Sequence, residues 1–254
     1  SNIISPFMGY VDRFIIGVIV SAAAVAYYTT PQEIIFRLWI LPGALTTVLF
    51  PTFAAKISGN NSQVKPLFIK AVNWLFLIIL PITSFIAIFA SEILNVWIGA
   101  DFASESAALM QVFAFGILIN CLAHIPFTLI QSSGAPRVTA LIHCLELPFF
   151  IMMVWWMTSG LGVLGAAVAW LIRMVVDSAL MFGACAYLQR WSFRSLVGKH
   201  ILICAVLIIG AFLPSKINDI GVRIILYAVV LFCTFVLIYR EYKIQFPKIN
   251  TAKG

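Results

Sequence analysis

Apolar runs of about twenty residues recur along nearly the whole of this 254-residue chain. A run of that length matches the hydrocarbon thickness of a bilayer when it is helical. Inside a bilayer every backbone amide must find its partner within the protein, so such runs fold as helices. The chain is 63% hydrophobic and only 10% charged, where soluble domains carry about 25% charged residues. Its apolar stretches are continuous and do not alternate as barrel strands do. The expected fold is therefore an all-α polytopic membrane protein.

Eight segments can be drawn: Ile4–Tyr27, Ile34–Ala55, Ala71–Ile98, Ala108–Gln131, Val138–Met157, Gly162–Leu188, Leu196–Leu213 and Val222–Tyr239. The seventh is the shortest, with an uncharged core of only His200–Leu213 that relies on a snorkelling Lys199. Loop charges fit this parse. Lys56, Lys65, Lys70, Arg137, Arg190, Arg194, Lys199, Arg240, Lys243, Lys248 and Lys253 all fall on one side. The other side carries Lys216 and Arg223 against Glu33, Glu92, Asp101, Glu105 and Asp219, of which Glu92, Asp101 and Glu105 read as a solvated rim. By the positive-inside rule the C-terminal tail is cytoplasmic, as is the start of the first segment. The net charge of +7 is thus a topology signal and does not point to nucleic acid. Ser1, followed so soon by an apolar segment, suggests the C-terminal part of a larger protein.

Within these segments the charged residues stand out. Gly162, Ala166, Ala169, Arg173, Asp177 and Ala184 fall on one narrow face of a helix at 100° per residue. A charge at bilayer depth costs roughly 2.5–3.5 kcal/mol on insertion scales, so it requires a partner or a wet cavity. Arg173 and Asp177 are four apart. They can pair along their own helix, or they can line a cavity that receives an anion or a proton. Thr139, His143 and Glu146 form a second polar stripe, suited either to proton coupling or to a hydrogen bond with a neighbouring helix. Asn120 and His124 share a side of the fourth segment. Asp12 and Arg13 are adjacent and point about 100° apart, so each needs its own partner. Arg37 lies near the outer end of the second segment, where snorkelling to the interface is also open to it. A guanidinium presents a planar fork to phosphate oxygens, which makes Arg13, Arg37 and Arg173 candidates for an anionic head group. Asp12, Glu146, Asp177 and His143 are candidates for charge balance or ion coupling, and Asn120 and His124 for the polar lining.

Several motifs are better read as structure. Gly160, Gly162 and Gly165 spell G-x-G-x-x-G. They follow a membrane segment and not a Rossmann strand, so they read as a tight turn and close helix packing. The five cysteines all lie in apolar segments without a CxxC pair. Neither HExxH nor GxSxG occurs, and no catalytic or metal set is expected. Pro42, Pro51, Pro81, Pro126 and Pro148 lie inside expected helices, as kinks or as packing features of a bundle that bends.

The run Tyr10-Val-Asp-Arg-Phe-Ile-Ile-Gly17 resembles the seventh membrane segment of bacterial O-antigen and polysaccharide flippases. Arg37-Leu-Trp-Ile-Leu-Pro-Gly-Ala44 with Val48-Leu-Phe-Pro-Thr-Phe53, then Gly134-Ala-Pro-Arg137, Glu146-Leu-Pro148 and Gly165–Arg173 with Asp177, are similar to successive parts of the same family over residues 1–190. That family belongs to the multidrug/oligosaccharidyl-lipid/polysaccharide flippase superfamily. The resemblance implies the second six-helix lobe of a two-lobe flippase (1–190), two additional C-terminal helices (191–240) and a basic cytoplasmic tail (241–254). It implies flipping of a polyprenyl-diphosphate-linked oligosaccharide across the bacterial inner membrane by alternating access. No cofactor is implied beyond coupling to a proton or sodium gradient. The implied partners are the lipid-linked oligosaccharide, membrane lipids, the N-terminal lobe of the same protein and other polysaccharide assembly proteins. Multidrug or peptidoglycan-precursor export is the alternative within the superfamily. A glycan polymerase or ligase would need a larger outer loop than the expected Gly99–Ala107.

Overall fold

The computed structural model describes residues 9–59, 61–193, 196 and 219–245. The described residues are helical throughout, with no strand among them. The helices are α1 (Val11–Ile19), α2 (Ala22–Phe36), α3 (Ile40–Gly59), α4 (Val64–Ile88), α5 (Ala90–Trp97), α6 (Ala100–Ser132), α7 (Pro136–Leu188) and α8 (Ile220–Gln245). Five helical runs are long and apolar enough to cross a membrane: Ala22–Gly59, Asn61–Ile88, Ala100–Ser132, Pro136–Leu188 and Ile220–Glu241. Apart from Leu196, the expected seventh segment lies outside the described residues.

The first two expected segments divide differently. The break falls at Ser21, which is extended (φ −173, ψ 164) and caps α2 by accepting a hydrogen bond from the Ala24 amide. Residues 29–33, which look like a loop by composition, are helical. Pro31 and Gln32 of this stretch are buried, as is Tyr28 just before it, because polar side chains here have partners inside the protein. A 3-10 turn over Arg37–Trp39 then carries the chain into α3. The outer loop expected at Gly99–Ala107 is also helical from Ala100. Only Ile98 and Gly99 connect α5 to α6.

Helix α7 contains 53 residues and bends at one of them. Gly162 has φ 61, ψ −143, a left-handed geometry that a side chain would strain. Around it the chain folds back into two arms, 136–161 (α7a) and 163–188 (α7b), each about 39 Å long. His143 of α7a reaches Asp177 of α7b, and Phe150 reaches Arg173. Residue numbers rise on one arm as they fall on the other, so the arms form an antiparallel hairpin. The expected fifth and sixth segments are these two arms.

Helix α6 is the centre of the bundle, packed by α2, α3, α4, α5 and α7. The most apolar window of α6 is 83% buried, against 17% for α8 at the periphery. Where α6 meets α7b, a Cβ on Gly116 would fall 2.0 Å from Trp170 Cζ3, so only glycine admits the indole. Trp170 also packs edge-on against Phe113 of α6 and beside Phe36 of α2. Helix α8 rests on α4 and is tied near both ends, by Arg223 with Glu92 and by Asn73 with Glu241.

Candidate functional site

The polar faces expected on the fifth and sixth segments meet across the hairpin. Thr139, His143 and Glu146 are buried along α7a, and Ala166, Ala169 and Asp177 along α7b. Arg173 lies about 16 Å along α7b from the turn, near the middle of a ~30 Å hydrocarbon core. A cavity of about 260 Å³ opens beside this face, lined by Asn120, His124, His143, Arg173 and Asp177 together with Trp39, Phe127 and Trp170. A second hollow of about 260 Å³ lies between the two arms, lined by Glu146, Phe149, Phe150, Met153, Arg173 and Val176. Arg173 borders both.

Asp177 Oδ1 sits 3.4 Å from His143 Nε2. Arg173 forms no ion pair with Asp177 or with any other carboxylate among the described residues. Its Nε is buried without a hydrogen-bond partner, and its guanidinium lies over the Phe150 ring at 4.9 Å. Such a cation–π contact contributes roughly 0.5–2 kcal/mol. It holds the plane of the fork while leaving its N–H edge without a carboxylate. Both carboxyl oxygens of Glu146 are likewise buried and unpartnered. The arms thus carry a two-rung ladder: His143 opposite Asp177, and Glu146 sharing a wall with Arg173.

Asp12 and Arg13 lie in a separate network, and their different directions give them different partners. Asp12 is fully buried and accepts from Tyr28 Oη at 2.6 Å, Gln32 Nε2 at 3.2 Å and the Arg13 amide at 2.8 Å. Arg13 donates to Gln32 Oε1 at 3.1 Å and pairs with Glu33 at 3.4 Å. Neither lines either cavity. Arg37 is exposed in the 3-10 turn and lines neither. Of the three arginines, the cavity brings in Arg173 alone.

Sequence reasoning missed Trp39, whose Nε1–H donates to Asn120 Oδ1 at 2.9 Å and fixes that amide in the cavity wall. It also missed Phe150, Tyr28 and Gln32. The spacing of Tyr28 and Gln32, one helical turn apart, was the available signal for the last two. Glu92, expected on a solvated rim, keeps a partly exposed side chain and pairs with Arg223.

These features define a multi-pass, all-helical membrane protein with an arginine bordering an aromatic-walled cavity that carries a few polar groups. A family model described as "Polysaccharide biosynthesis protein" matches residues 1–107. The chain is 37% identical over 181 residues to a protein of Shigella flexneri named "Putative O-antigen transporter", which covers 71% of this chain and 43% of that one. It is 24% identical over 186 residues to the "Probable low-salt glycan biosynthesis flippase Agl15" of Haloferax volcanii, covering 71% of this chain and 38% of the relative. The chain belongs to the polysaccharide flippase family. It spans less than half the length of these two relatives.

Proposed function

We propose that this chain is the second lobe, with two additional C-terminal helices, of a transporter that flips a polyprenyl-diphosphate-linked oligosaccharide such as an O-antigen repeat unit. In this reading it acts in the bacterial cytoplasmic membrane, with the C-terminus on the cytoplasmic side. The observation that carries it is the state of Arg173. A guanidinium at bilayer depth, backed by an aromatic ring and with no carboxylate at ion-pair distance among the described residues, keeps its N–H edge open to a ligand anion. A diphosphate supplies that anion in the fork geometry an arginine prefers. The cavity beside it accommodates polar groups through Asn120, His124 and His143. The sugar would cross inside, the lipid tail would stay in the membrane, and the two lobes would rock between inward and outward openings. An ion gradient of protons or sodium would drive the cycle.

Arg173→Ala in the complete protein should abolish surface glycan while membrane insertion, followed by immunoblot of membranes, stays normal. Arg173→Lys should restore only part, because an ammonium lacks the planar fork. Normal surface glycan in the alanine variant would overturn the anion-binding role.

A further inference from the structure

Helix α7b ends on a residue that its backbone does not suit. Gln189 caps the helix, the Arg190 amide donates to the Tyr187 carbonyl at 3.2 Å, and the Trp191 amide donates to the Ala186 carbonyl at 2.8 Å. In this two-bond termination the residue after the cap takes left-handed geometry and is usually glycine. Here it is Arg190, at φ 55, the one non-glycine residue with positive φ among the described residues. A side chain there is strained, because its Cβ crowds the following carbonyl. The chain cannot swing away to relax, since the next residue is anchored. The Trp191 ring packs edge-on against Phe68 of α4, and Phe68 packs in turn against Phe182.

No ion pair among the described residues offsets that strain, and the Arg190 side chain is exposed. What it has is a position. Gln189 Nε2 donates to Ser133 Oγ at 3.0 Å, which sets this end of α7b beside the turn between α6 and α7a. Arg137, four residues beyond Ser133, lies at the same end and is likewise exposed without an ion pair. Lys65 lies there too, on the first turn of α4 just before Phe68. Tyr187, 84% exposed, adds an aromatic ring at that level. Exposed rings beside basic residues are the side chains of a membrane interface. Arms of about 39 Å overrun a ~30 Å hydrocarbon core, so their ends reach the headgroups. We infer that Arg190, together with Arg137, holds the phosphate of an anionic phospholipid on this face of the membrane, and that the left-handed arginine is kept for that contact. A guanidinium takes phosphate oxygens in a planar fork, and basic residues at an anionic leaflet are drawn to it. The negative end of the α7b dipole also favours a cation, but that field acts in any lipid.

The test is thermal unfolding of the full-length protein in nanodiscs of phosphatidylcholine, alone or mixed with phosphatidylglycerol. Wild type should melt several degrees higher once phosphatidylglycerol is present. Arg190→Gly relaxes the backbone, so in phosphatidylcholine it should melt about 2–4 °C above wild type. In the mixed bilayer it should lose about half of the lipid-dependent gain, and Arg190→Gly/Arg137→Gln nearly all of it. Lys65→Gln, at the same end, should keep most of the gain. Equal gains in wild type and the double variant would overturn the inference. So would a loss in Lys65→Gln as large as that in Arg190→Gly, which means diffuse attraction and not a site. Inorganic phosphate added to phosphatidylcholine nanodiscs should leave melting unchanged; a rise matching that from phosphatidylglycerol would make the ligand a free anion and sink the lipid assignment. An Arg190→Gly variant no more stable than wild type in phosphatidylcholine removes the strain on which the inference stands. Should Arg190→Gly fail to insert, Arg137→Gln alone decides, by losing or keeping its share of the gain.

Discussion

Tyr28 donates its hydroxyl proton to a carboxylate that has no exposure at all, and removing that one oxygen is the smallest change that probes the Asp12 network. Tyr28→Phe leaves the ring packed edge-on against Phe113 and deletes only the donor. The variant should lose about 1–3 kcal/mol, the cost of under-satisfying a buried polar group, read as a lower melting temperature in detergent. Gln32→Leu should act in the same direction, since Gln32 bridges Asp12 and Arg13. At this scale the sequence was informative where a polar side chain interrupts apolar surroundings. His143, Asp177, Arg173, Asn120 and His124 stood out for that reason, and they share one cavity. Trp39 and Phe150 did not stand out, because they are two among 7 tryptophans and 21 phenylalanines. Nothing local distinguishes the ring that holds a guanidinium from the rings that fill a core. Trp39 and Asn120 lie 81 residues apart, and only the fold brings them together.

Among the helices, periodicity and glycine placement resolved the hairpin well. The glycine spacing predicts a turn over Gly160–Gly165, and Gly162 is the residue that turns. Where the sequence misled, the fault lay in equating polar composition with a loop. Residues 29–33 and 101–107 are helical because their polar groups are satisfied or reach solvent without breaking the backbone ladder. Gln32 bonds to Asp12, and the Ser106 hydroxyl donates to the Tyr27 carbonyl at 3.0 Å. The contact between α6 and α7b supplies a sharper test of packing. Gly116→Ala drives a methyl into the Trp170 indole and should destabilise by about 1–3 kcal/mol, as overpacking does. Thermal unfolding should recover part of the loss in Gly116→Ala/Trp170→Phe, because the smaller ring vacates the clash. No recovery would mean that the backbone of α6, and not the ring, bears the strain.

For the molecule as a whole, the peripheral helix α8 poses a different problem. Lipid tails and leucines are equally apolar, so apolar contact alone does not settle where a membrane helix sits. The polar contacts to Glu92 and Asn73 give α8 its register against the rest of the bundle. Reversing one charge, as in Arg223→Glu, should raise hydrogen–deuterium exchange at the Ile220 end of α8, and the swap Glu92→Arg/Arg223→Glu should bring it back. The two contacts lie near opposite ends of one rod, with Tyr227 packed against Phe85 and Phe89 and Thr234 buried between them. A rod pinned twice is a closed shutter, whereas a rod pinned once is a pivot. Loss of either contact would therefore open a wedge-shaped gap between α8 and α4, widest at the end that was released, through which lipid could slide sideways into the bundle.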